Sequence, residues 1–133
     1  MQRAVKIAQI ALRGSGVLVL LIGLALWSGR GYSLRQTHMM LGAVVVVSLW
    51  TLAGLAAKAA PPLRVIMAVL WGFIVLALGM TQTQIFPGSA HWVVRLIHLL
   101  VGVGAMAQGE RLARAAAAGA TSAGAPAAPR GPA

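Results

Sequence analysis

The sequence has no cysteine and a single acidic residue, Glu110, among 133 positions. The first absence excludes disulfides, thiolate-held metal and a covalent C-x-x-C-H haem attachment. The second removes the usual means of acid–base chemistry, because there is no carboxylate pair and no Ser/His/Asp set for hydrolysis. A proton- or cation-coupled transporter needs an acidic group in its pathway, and Glu110 stands only at the end of the last apolar segment. Charge of either sign is scarce. Charged residues make up 9% of the chain and hydrophobic ones 59%, against roughly a quarter charged in a soluble domain. The mean hydropathy is +0.86. This is the composition of a membrane protein.

What charge there is comes almost entirely from Lys and Arg. Eleven of them give a net charge of +10 and a pI near 12.0. A nucleic-acid binder gathers such residues on one solvated face. Here they punctuate apolar runs, as flanks of membrane segments do, so nucleic acid is not an expected partner and membrane lipid is.

Four apolar segments approach the ~20 residues that a helical span needs, at about 10–28, 34–57, 64–82 and 90–110. The breaks carry turn chemistry. Ser28-Gly-Arg-Gly-Tyr-Ser33 separates the first pair, Lys58-Ala-Ala-Pro61-Pro62 the second, and Thr81 to Ser89, with Pro87 and Gly88, the third. Two adjacent prolines cannot continue a helix. The expected fold is an all-α membrane protein, a four-transmembrane-helix bundle over residues 1–115. The Ala/Gly/Pro segment 116–133 is expected to be a disordered tail. The first segment has the basic start and apolar run of a signal peptide, but no convincing small-x-small cleavage site follows it.

With four spans, Arg3, Lys6, Arg13, Lys58, Arg64, Arg111 and Arg114 fall at one side, and Arg30, Arg35 and Arg95 at the other. The positive-inside rule then puts both termini in the cytoplasm; the expected location is a bacterial inner membrane. The two halves also echo each other. Leu12-Arg13 precedes Leu24-Ala25-Leu26, and Leu63-Arg64 precedes Leu76-Ala77-Leu78 at nearly the same spacing. The chain reads as two tandem helical hairpins, parallel copies about an axis along the membrane normal.

The closest internal match carries chemistry. Arg35-Gln-Thr-His38-Met-Met-Leu41-Gly42 and Arg95-Leu-Ile-His98-Leu-Leu-Val101-Gly102 share the pattern R-x-x-H-x-x-[LV]-G. Ionisable residues within spans are costly and usually functional. At 100° per residue, Arg95 lies about 60° and Gly102 about 40° from His98, so each trio occupies one helical stripe. Both helices run inward, with Arg one turn outward of His and Gly one turn inward.

That order suits an upright haem between the second and fourth spans. His38 and His98 would be its axial ligands, imidazole being a common ligand to haem iron. Arg35 and Arg95 would reach the propionates, which favour a guanidinium fork. Gly42 and Gly102, without Cβ, would let the porphyrin face approach the backbone. His91 lies about 10 Å outward of His98 by helical rise and is read as a polar residue near the propionates rather than a ligand. The absence of cysteine requires that the haem be held non-covalently.

An R-x-x-H pair followed by Gly resembles the ligand helices of membrane b-type cytochromes. The H-x-x-L-G heading an apolar span is similar to the bacterial cytochrome b561 type, a four-helix haem protein. That resemblance implies haem b with bis-histidine ligation and electron exchange with quinone. Bacterial b561 proteins hold a second haem near the opposite membrane face with further histidines. The inner halves of these spans contain none, so one haem per chain is expected.

The function expected from the sequence is therefore a single-haem membrane cytochrome b. It would pass electrons between quinol and a partner redox protein, alone, as a homodimer or as a subunit of a larger membrane complex. No catalytic residue is assigned. The alternatives are a cofactor-free accessory subunit of such a complex, and a haem or metal sensor or carrier. Interfacial anchoring suits Trp27 and Trp92, whereas Trp50 and Trp71 are expected to pack between helices or against lipid. Gly14-Ser15-Gly16 follows no strand and is read as a close helix contact, not a nucleotide loop.

Overall fold

The computed structural model describes residues 1–123, and these form four long helices and two short 3-10 turns, with no strand among them. Helix α1 spans Gln2–Trp27, α2 Arg35–Ala56, α3 Pro62–Thr81 and α4 His91–Ala123. Each is long and apolar enough to cross a membrane. The connections follow from local chemistry. After Trp27, Gly29 takes a φ of 77°, which lets the Arg30 N–H reach the Ala25 carbonyl at 2.9 Å and the Gly29 N–H the Leu26 carbonyl at 3.1 Å. This pair of bonds closes the helix as a Schellman motif, where a left-handed glycine is favoured. Pro62 opens α3 at its first position, where the missing N–H costs nothing. Gly88, with φ 99°, turns the chain before α4.

Both ends of the chain are more helical than the apolar runs suggest. Helix α1 begins at Gln2, because Val5, Ala8 and Leu12 continue one buried stripe below the first span. Helix α4 runs to Ala123 and not to the expected tail boundary at 116. Alanine is the strongest helix former, and the run Ala115–Ala118 keeps the helix going while Ala116 is buried. The remainder of the expected tail, 124–133, lies outside the described residues.

Helices α1 and α3 each pack against both α2 and α4, α2 and α4 meet across the middle, and α1 and α3 do not touch. Small residues permit the close approaches, as in membrane helix pairs. A Cβ on Gly109 of α4 would overlap Leu12 of α1, and one on Gly16 would lie 2.6 Å from Met106. Gly119 sits equally close over Ala59. The Gly-Ser-Gly segment thus contributes a helix contact through Gly16, while the Ser15 hydroxyl bonds back to the Ala11 carbonyl at 2.6 Å. At the same end, Glu110 of α4 accepts from the Arg13 guanidinium at 2.7 Å and from the Gln9 amide at 2.8 Å. The sole acidic side chain therefore ties α4 to α1.

Tryptophan supplies a second kind of tie. The Trp50 indole of α2 donates to the Val69 carbonyl of α3 at 3.1 Å and fills the notch left by Gly72. The Trp71 indole of α3 donates to the Val101 carbonyl of α4 at 2.9 Å and fills the notch left by Gly104. Each indole places its one donor on a helix carbonyl three residues before the glycine that it covers. Both tryptophans pack between helices, the first of the two roles expected for them.

The core is uneven. Most buried apolar side chains lie toward the end that carries the chain terminus: Leu12 on α1, Val46, Leu49 and Leu52 on α2, and Leu112 and Ala116 on α4. At the opposite end the helices part around a cavity. Large apolar side chains such as Ile7, Leu21, Ile66, Phe73 and Leu100 cover the outside, which is costly in water and neutral in lipid.

Candidate functional site: a histidine-faced cavity

The cavity has a volume of about 580 Å³, within the roughly 300–1,000 Å³ of typical ligand and cofactor pockets. Six residues of the repeated signature line it: Arg35, His38 and Gly42 from α2, and Arg95, His98 and Gly102 from α4. The helical stripe argued from sequence therefore faces one shared space. His91 also lines it, with its Nδ1 3.3 Å from the Ile85 carbonyl.

The His38 and His98 ring centres are 6.2 Å apart and the rings are tilted by 48°. Such a separation has a simple interpretation. An imidazole centre lies about 1.1 Å from each ring nitrogen, and a metal–imidazole bond is about 2.0–2.1 Å, the zinc value. Two rings on opposite sides of one ion therefore have centres about 6.2–6.4 Å apart. Direct stacking brings rings closer, and a hydrogen bond between imidazoles would pair their nitrogens. Here Nδ1 of both rings is buried without a hydrogen-bond partner. The Val19 backbone of α1 lies beside His38 but does not complete a bond to Nδ1. A buried polar atom without a partner costs about 1–3 kcal/mol, and two on facing rings mark a site arranged for something other than apolar packing. Metal-bound imidazoles hand their second nitrogen to a backbone carbonyl or water, and Val19 is the backbone at hand for His38.

The donor count limits what kind of metal the pair could hold. Among the described residues, no three His, Cys, Asp or Glu side chains gather into one cluster. His91 thus does not join the pair, and a bare cation would have two protein ligands where a structural zinc site uses four. Two imidazoles suffice when the metal arrives in a planar macrocycle that fills the other four positions.

The glycines are consistent with a flat occupant. A Cβ on Gly42 or Gly102 would meet nothing within 4 Å, and both glycines border the cavity, so the free volume begins at their backbone. The notches at Gly72 and Gly104 are filled by indoles instead. Two further cavity-lining glycines, whose spacing sets them apart in no way along the sequence, stand beside the rings. Gly23 of α1 faces His38, where a Cβ would lie 3.1 Å from Cε1. Gly79 of α3 faces His98, where it would lie 3.7 Å from Cε1. Each histidine is thus flanked by a glycine from the helix preceding its own. Glycine is frequent in membrane helices as a packing residue, so only the helix pairing distinguishes these two.

The arginines stand at the outer mouth. Arg35 and Arg95 are exposed, and one Arg95 nitrogen lies 3.5 Å from the Trp27 carbonyl at the end of α1. Among the described residues no carboxylate accompanies them, because Glu110 is at the other end of the bundle and paired there. Gln82 and Thr83 complete the polar rim near His91. Met39 also lines the cavity, though it is not on the His38 stripe. A cavity with two facing imidazoles in its apolar body and, at its mouth, two guanidiniums without a carboxylate partner among the described residues suits a flat, metal-bearing ligand with anionic groups on one edge.

No protein-family model, curated protein or solved structure matches the chain. The resemblance to b561-type cytochromes consequently rests on the duplicated signature alone.

Proposed function

We propose that this chain is a single-haem membrane cytochrome b, an integral protein of a bacterial cytoplasmic membrane with both termini on the cytoplasmic side. The observation that carries this reading is the pair of histidines 6.2 Å apart across a cavity that the whole duplicated signature lines. In this account His38 and His98 are the side chains that would hold the iron of one haem b. Arg35 and Arg95 hold its propionates, Gly42 and Gly102 leave its faces clear, and His91 adds polarity at the rim.

Haem b, when bound, supplies one-electron exchange between ferric and ferrous iron. The chain's own contribution is positioning and environment. Two imidazoles from different helices would offer the iron a fixed pair of protein ligands. The apolar cavity body excludes water, and burial of the iron site tunes its potential. The guanidiniums at the mouth would neutralise the propionates with charge-assisted bonds. Quinol is the proposed electron donor or acceptor, since it resides in the bilayer and the outer rim offers Gln82, Thr83 and His91 as hydrogen-bonding groups. The partner redox protein would meet the same end of the bundle.

Membrane residence is supported by four apolar helices and by the exposed apolar exterior. The proposed orientation is supported, among the described residues, by seven Lys and Arg at the terminal end against three at the cavity end. The test is haem stoichiometry in protein purified in detergent after expression with ample haem. One acid-extractable protohaem per chain is expected. Protein that is folded, monodisperse and devoid of haem would favour the cofactor-free subunit instead. A redox titration followed by mixing with a quinol analogue separates an electron carrier, which the quinol reduces, from a sensor, which it does not.

A further inference from the structure

A second recess lies at the opposite end, between α3 and α4, with a volume of about 420 Å³. We propose that it binds an anionic phospholipid, headgroup toward the terminal end and acyl chain along α3. This inference shares the membrane-spanning reading with the proposed function but does not depend on the haem.

The polar groups sit at the outer lip. Arg64 enters from the first turn of α3, and Gln108 and Arg111 from α4. Gln108 and Arg111 are three residues apart, hence neighbours on one helix face. The two guanidiniums therefore approach the same space from facing helices. Among the described residues neither has a carboxylate partner, because Glu110 is engaged by Arg13 and Gln9 on the α1 side. Two like charges converging on one recess favour an anion between them. A phosphodiester offers two non-bridging oxygens, which suit guanidinium donors, and the Gln108 amide can supply a further one.

The apolar groups continue inward. Leu63, Met67 and Trp71 line the recess and follow one another at four-residue steps, so they form a single stripe on α3. From Leu63 to Trp71 that stripe descends about 12 Å, by eight steps of helical rise. Trp71 closes its floor, held by its bond to the Val101 carbonyl. The order from lip to floor is cation, amide, then hydrocarbon, which is the order of groups in an anionic phospholipid read from headgroup to chain. Free phosphate would satisfy the lip and leave the stripe uncovered. Basic pockets between helices at the cytoplasmic surface are a recognised form of lipid site.

The experiment is native mass spectrometry of the full chain in detergent, with phosphatidylglycerol and phosphatidylcholine of identical acyl chains in competition. Preferential retention of one phosphatidylglycerol is expected. Arg64→Gln and Arg111→Gln should each weaken it about 5-fold, and the double variant about 30-fold, from the typical contribution of one basic residue near a lipid surface. Arg3→Gln, remote from the recess, should leave it unchanged, and Arg64→Lys should retain most of it. Inorganic phosphate and glycerophosphate should not compete at lipid-equivalent concentrations. Equal retention of the two lipids, undiminished phosphatidylglycerol binding in the double variant, or displacement by phosphate alone would overturn the proposal. The haem content of each variant reads the proposed function separately, and carbonate extraction of membranes reads the spanning topology, so the three readings fail independently.

Discussion

The Trp71 indole donates to the Val101 carbonyl at 2.9 Å immediately before Gly102, whose backbone borders the histidine-faced cavity. One tryptophan therefore ties α3 to α4 at the level where the dry half of the bundle gives way to the hollow half. Trp50 makes the same tie from α2 to α3. Together the two indoles hold three helices in register below the cavity, so its walls need not touch one another across the space.

Gly104→Ala tests that tie. The added Cβ would lie 2.8 Å from Trp71 Cζ2, so the indole must move and its bond to Val101 must lengthen. Overpacking of this kind costs about 1–3 kcal/mol. A lowered melting temperature is expected in both haem-loaded and haem-free protein, measurable by the intrinsic fluorescence of a thermal ramp. An unchanged melting temperature in both forms would show that the clasp contributes nothing.

Gly102→Leu separates the cavity from the clasp, although the two glycines are only two residues apart. Nothing lies within 4 Å of a Cβ at Gly102, so the larger side chain enters open space. The haem-free variant should keep its helical circular dichroism and melt no lower than the parent. Its haem content should fall by at least tenfold, because the leucine occupies a porphyrin face. Gly42→Leu should behave alike. Full haem occupancy in either variant would place the cofactor elsewhere.

The glycines beside the rings differ in a way that can be measured. A methyl group at Gly23 would press His38 Cε1 at 3.1 Å, whereas one at Gly79 would meet His98 Cε1 at an ordinary 3.7 Å. Gly23→Ala should therefore rotate or displace the His38 ring, shift the low-spin electron paramagnetic resonance signal and change the midpoint potential. Gly79→Ala should leave both near the parent values. Equal responses from the two variants would contradict the asymmetry.

The duplicated Arg–His–Gly stripe was legible in the sequence because polar residues stand out in an apolar run and because helical phase follows from spacing alone. The structure brings the six residues to one cavity for that reason. Gly23, Gly79 and the two tryptophan notches were not legible, since each acquires its role from a residue on another helix. Glycine and tryptophan are also ordinary components of any span. The two outer helix ends lie beyond the apolar runs for a related reason. Hydropathy marks the apolar stretch of a helix, whereas α1 and α4 continue past it on one buried stripe, through Val5 and Ala8 at one end and Ala113 and Ala116 at the other.

The arginines at the mouth act on the cofactor edge and not on the iron. Arg35→Gln and Arg95→Gln should each leave six-coordinate spectra in place while accelerating haem loss to an apoprotein acceptor, since each removes one charge-assisted contact worth about 1.5–3 kcal/mol. Arg95→Gln should also free the Trp27 carbonyl. Unchanged loss rates in both variants would remove the arginines from the site.

The most direct measurement of the central claim is the oxidised and reduced visible spectrum of the purified protein beside its His38→Ala, His98→Ala and His91→Ala variants. A low-spin, six-coordinate haem b spectrum is expected in the parent and in His91→Ala, and its loss in both of the other two. Absence of a Soret band in haem-supplied parent protein, or a low-spin spectrum that survives replacement of His38 or His98, would contradict a haem held between those two side chains.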